Sequence, residues 1–99
     1  MKNQKVEQRN ECIDYFKKCP VWKRVFTGFR DKYLSYGRFA GKIVIKKLSA
    51  EEIEELEGFF GQNFHGQRSV TISAEKFAKA LADSRFKEIQ PLEILTGYF

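Results

Sequence analysis

The stretch GKIVIKKLSAEEIEELEGFF (Gly41–Phe60) decides how this chain is read. It opens on a short β-branched run, passes through Leu48 to Ser49, and then places apolar residues at Ile53, Leu56, Phe59 and Phe60. A strand-like run gives way to a helical period across a single serine. Ser49 with Glu52 three positions later forms a capping box. The serine oxygen accepts from the third backbone N–H of the helix, and the glutamate accepts from the serine's own N–H. Glu51, Glu52 and Glu54 also sit where the helix dipole favours negative charge.

The same syntax returns in SVTISAEKFAKALADSRF (Ser69–Phe86). Ser73 is the second cap and Glu75 lies in the first turn, but Lys76 stands where the reciprocal glutamate would be. The echo is folding grammar, a β-α-β-α arrangement with two N-caps, and not a duplicated active site. A helix of about eleven residues plus the loop GQNFHGQR is long enough for a parallel crossover, with an antiparallel pairing left open.

Upstream, a helix is read from about Val6 to Lys18. Cys19-Pro20 makes a corner, because proline disfavours helix in the residue before it and suits the first turn of a new one. The second helix carries Trp22, Val25, Phe26, Phe29 and Tyr33 at helical spacing. Gly28 within it costs about 1 kcal/mol relative to alanine, or marks a close helix crossing. Gly37 is its natural stop. Downstream, QPLEILTGYF begins a last helix with Pro91 in its first turn, and the closing Tyr98 and Phe99 read as a sequence cut from something longer.

The expected fold is therefore α+β and mainly helical, a single domain over residues 1–99. A basic helix pair (1–38) precedes a β-α-β-α unit (41–86) with a small two-stranded sheet, and a C-terminal helix starts at 90–99. Ten Phe, four Tyr and one Trp supply ample core material, and only two Pro argue against a linker. No apolar run approaches the ~20 residues that span a bilayer, and the N-terminus lacks the apolar core of a secretory signal. The expected setting is cytoplasmic, with no membrane partner. Cys12 and Cys19, two turns apart on one helix face, are about 10 Å apart along the axis and are read as free thiols.

No catalytic signature is present. His65 is the one residue suited to acid–base work near neutrality, yet no motif places a nucleophile for it, and it is read as a loop histidine. Glu51, Glu54 and Glu55 are read as a solvated helix face and not a metal site. The chain is taken as non-enzymatic, with no cofactor.

Charge is more informative. Residues 1–47 hold thirteen Lys/Arg against four Asp/Glu, a balance of +9, whereas residues 48–99 hold five against nine, a balance of −4. Lys17, Lys18, Lys23 and Arg24 flank the Cys19-Pro20 corner, with Arg30, Lys32 and Arg38 further on. Such a set can hold phosphates without reading bases. These seven are the candidate contacts to double-stranded DNA. The rival reading is a protein-interaction or dimerisation module that docks through the acidic helix or through Tyr98 and Phe99, with no nucleic-acid binding.

YGRFAGKIVIKKLSAEEIEELEGFFG, followed by FHGQRSVTISAEKFAKALADSRF, resembles the N-terminal region of a bacterial family whose members continue into a toprim-like domain. That family is similar to the JetD-type nuclease subunit of Wadjet plasmid-defence systems. The resemblance covers roughly Phe16 to Phe99 and rests on scaffold motifs. It implies a DNA-facing or dimer-forming arm of a larger protein that works beside SMC/condensin-like subunits. Cleavage would belong to the toprim-like portion, so no catalytic residue is carried onto this segment.

Overall fold

The computed structural model describes residues 4–64 and 66–99, with side chains from Val6 onward. In chain order the elements are α1 (Gln4–Lys17), α2 (Pro20–Tyr36), β1 (Lys42–Ile45), α3 (Ala50–Phe60), β2 (Val70–Ser73), α4 (Ala74–Ala82) and α5 (Pro91–Tyr98). The fold is α+β and mainly helical.

Local signals act where they stand in the sequence. Cys19 is extended and Pro20 opens α2, which ends on Gly37 at φ 73°. The capping box at α3 is complete: Glu52 N–H donates to Ser49 Oγ at 3.2 Å, and Ser49 N–H donates to Glu52 Oε1 at 2.9 Å. At α4 only half of it exists, with Lys76 N–H donating to Ser73 Oγ at 3.0 Å. Pro91 opens α5.

The strands pair antiparallel, Lys42 opposite Ser73 through Ile45 opposite Val70. This settles the direction that the connection length left open. The two ends of the intervening excursion meet, because Leu48 N–H donates to the Arg68 carbonyl at 3.1 Å. The helix-containing segment thus returns to the end of β1 that it left, and not to its beginning. β1 is shorter than the run from Gly41 to Leu48, since Lys47 takes φ 55°, a left-handed geometry that breaks a strand.

One apolar cluster unites all the elements. Phe77 of α4 lies within it, with its ring 5.6 Å from Phe26, 5.7 Å from Phe59, 6.1 Å from Phe16 and 6.4 Å from Trp22. Ile43, Ile45, Val70 and Ile72 are buried from the sheet side, and Val21, Trp22, Val25, Phe26 and Phe29 from α2. Gly28 serves the packing of helix on strand and not of helix on helix: a Cβ there would stand 3.0 Å from Ile43 Cγ2. The close helix approach occurs elsewhere, at Gly97 of α5, where a Cβ would stand 2.5 Å from Ile13 Cδ1 of α1.

Cys12 is buried and Cys19 half-buried, and both are free thiols. Burial pushes the Cys12 thiol up to about 12, which makes it a small hydrophobe without nucleophilic character.

Candidate nucleic-acid interface

The apolar stripe of α2 is sunk in the core, so its opposite face looks outward. Lys23 and Arg30, two turns apart, share that face and are exposed, with Thr27 between them. Arg30 also meets another element: its guanidinium carbon lies 4.3 Å from the centroid of the Phe99 ring. From α1, Lys17 Nζ lies 5.7 Å from the centroid of the adjacent Tyr98 ring. The two rings are 5.3 Å apart. The end of α1, the middle of α2 and the end of α5 therefore meet at one place, where two cations flank a pair of adjacent aromatic rings. Burial raises the Tyr98 phenol, so it stays neutral beside Lys17. Lys18 is exposed at the corner between α1 and α2.

The other three candidates lie elsewhere. Arg24 Nη1 contacts the Glu52 carboxylate at 3.3 and 3.4 Å, which compensates its charge and ties α2 to the start of α3. Lys32 turns toward Tyr36, 5.7 Å from the ring centroid, and is half-buried. Arg38 lines a separate cleft of about 640 Å³ with Lys42, between the starts of α4 and α5. The seven residues named from the sequence thus divide among several surfaces. Lys17 and Arg30 meet at the Tyr98–Phe99 corner, Lys18 is close to Lys17 in sequence, and Lys23, on the same helix face as Arg30, lines the groove beside β1.

Further cations gather where the candidate list did not reach. Lys46, Lys47 and Arg68 line one depression with Ser49 and Ser69, and Lys46 also lines a groove with Lys23 and Arg24. Lys46 and Lys47 are visible in the sequence as a basic pair. That Arg68 joins them follows from the closure of the 46–69 excursion and has no local signal.

The middle helix is less solvated than its charge suggests. Glu55, read as solvent-facing, is half-buried and its Oε2 accepts from Tyr15 Oη at 2.7 Å and from Trp22 Nε1 at 3.0 Å. Glu57 accepts from Phe64 N–H at 2.9 Å. Glu51 and Glu54 are exposed as expected. The reading of His65 lies outside the described residues. Among the described residues no three His, Cys, Asp or Glu side chains are grouped to share a metal ion, and no helix is long and apolar enough to cross a membrane.

Residues 39–98 match the model of a family described as "Protein of unknown function N-terminus (DUF3323)", and the chain belongs to that family. The matched segment begins just after α2 and runs from the lead-in to β1 through α5. All seven basic candidates therefore precede it. No curated protein and no solved structure matches the chain.

Proposed function

We propose that this chain is a non-catalytic N-terminal module of a JetD-like plasmid-defence protein, and that it contributes sequence-independent contact to double-stranded DNA. The JetD likeness rests on the scaffold motifs around Leu48-Ser49 and Ile72-Ser73, and the family match adds nothing to that finer reading. What supports the DNA contact is the meeting of Lys17 and Arg30, from different helices, on the adjacent rings of Tyr98 and Phe99. That arrangement gathers cations of α1 and α2 at one corner, and Lys23 extends the set two turns back along the exposed face of α2. Such a surface holds phosphates by charge and carries no base code. Arg24, Lys32 and Arg38 contribute less in this reading, since the first is paired with Glu52 and the other two lie on different surfaces.

With Lys17, Lys18, Lys23 and Arg30 on phosphates, log affinity for duplex DNA falls against log salt with a slope of about −3 to −4. The paired reversal Lys17→Glu/Arg30→Glu abolishes binding at low salt, while Arg24→Glu has a smaller effect. A flat salt response, or no binding at low salt by the intact chain, defeats the reading. In that event the interaction-module alternative gains, with half-exposed Phe99 as its anchor. The acidic helix is a weaker anchor for such docking, because Glu52, Glu55 and Glu57 are committed to internal bonds.

A further inference from the structure

We propose that the outer edge of β1 accepts an extended acidic segment of a partner protein as a third strand. The sheet has two strands, so β1 has one edge that β2 does not cover. The ladder shows which groups line it. Ala74 N–H donates to the Gly41 carbonyl at 2.8 Å, which sets Gly41 and Ala74 as a hydrogen-bonded pair. Alternation along an antiparallel ladder then makes Ile43–Ile72 and Ile45–Val70 the bonded pairs. Lys42 and Val44 turn their backbone N–H and C=O groups the other way, to the uncovered edge.

That edge borders a groove of about 510 Å³ lined by Lys23, Arg24, Thr27, Gly28, Val44 and Lys46 among others. Val44 is 53% exposed. Among the described residues no acidic side chain lines the groove. With Arg24 engaged by Glu52, Lys23 and Lys46 set the charge of the groove, and Lys42 stands at the far end of the strand.

The chemistry selects among occupants. A phosphate backbone accepts hydrogen bonds but donates none, so it cannot answer the Val44 carbonyl. A polypeptide alternates donors and acceptors at the spacing the edge requires. A second copy of this chain pairing β1 with β1 about Val44 sets Lys42 opposite Lys46, and like charges directly opposed repel. A foreign strand with acidic residues two positions either side of an apolar one meets both lysines and places its apolar side chain beside Val44. The strand edge lies apart from the Tyr98–Phe99 corner. Lys23 lines the groove and also belongs to the DNA reading, but strand pairing here depends on Lys42, Val44 and Lys46 and does not need that reading.

The test uses the intact chain and a capped heptapeptide, Thr-Glu-Thr-Val-Thr-Glu-Thr, followed by amide hydrogen exchange and NMR titration. The Val44 amide becomes protected on peptide addition. Lys42→Glu/Lys46→Glu, at two exposed positions that leave the core untouched, weakens binding about tenfold, as expected when two cross-strand attractions become repulsions. The peptide with lysine in place of glutamate does not bind. Lys17→Glu/Arg30→Glu leaves peptide binding unchanged, which keeps this result apart from any loss of DNA contact. Unchanged exchange at Val44 with millimolar peptide overturns the proposal, as does equal binding by the double variant. Protection of Val44 that grows with protein concentration alone also overturns it and assigns the edge to a second copy.

Discussion

The Trp22 indole donates its N–H to Glu55 Oε2 at 3.0 Å, linking the first turn of α2 to the middle of α3. The Tyr15 hydroxyl reaches the same oxygen at 2.7 Å. Three elements thus share one carboxylate, and Trp22 is fully buried. Glu55→Ala leaves two donors unanswered, one of them on a core side chain, and costs about 2–3 kcal/mol. Glu55→Gln keeps an acceptor and loses the charge assistance, at about 1 kcal/mol. Urea unfolding followed by Trp22 fluorescence measures both. Equal stabilities for the wild type and the alanine variant would show that this carboxylate holds nothing together.

Burial raises the Cys12 thiol from 9.0 to about 12. Between those values the unfolded chain releases a proton that the folded chain keeps, so stability falls as pH rises. The contribution is complete below pH 9 and declines by up to about 1.4 kcal/mol per pH unit above it. Tyr15 adds to the same trend from about pH 10, its phenol raised first by burial and then by its bond to Glu55. Denaturation series at pH 8, 9 and 10 therefore show decreasing midpoints, and Cys12→Ala flattens the step between 9 and 10. A wild-type midpoint constant across that range is the contrary result.

Gly97 lets α5 lie against Ile13 of α1. Gly97→Ala forces Ile13 Cδ1 to turn aside, and this outweighs alanine's better helix propensity by no more than about 1 kcal/mol net. Ile13→Val removes that atom at a cost of about 1 kcal/mol. The double variant is less destabilised than the two single losses added together. Strict additivity in the cycle would mean that the two sites do not touch.

Lys47 holds φ 55° between β1 and α3. Its side chain is exposed, so backbone strain dominates the effect of replacement. Lys47→Gly raises stability by about 0.5–1 kcal/mol, and Lys47→Val lowers it by more than that, because a β-branched residue resists the left-handed region. Thermal unfolding of the two variants checks the order. A valine variant as stable as the glycine one would contradict it.

The cationic face was half legible. Lys23 and Arg30 are two turns apart on one helix, and helical geometry alone joins them. Nothing in the sequence says that Arg24, the next residue along, bonds a glutamate 28 positions away. Nor does it say that Lys17 and Arg30 meet the rings that end α5. Glu55 looked solvated for the same reason: within its own helix it lies off the apolar side, and its two donors come from α1 and α2.

What the amino-acid order by itself determined are the features whose partners lie within a turn or two. These are the Cys19-Pro20 corner, the stop at Gly37, the box of Ser49 with Glu52, the cap at Ser73, the start at Pro91 and the buried stripe of α2. Each depends on one residue's backbone preference or on neighbours three or four positions away, which the chain itself brings together. The strand direction, the acceptor role of Glu55, the distribution of the cations and the uncovered edge of β1 come from the packing of distant elements. Those depend on which distant elements share the aromatic core. Packing selects among such arrangements collectively, and no local preference encodes the choice.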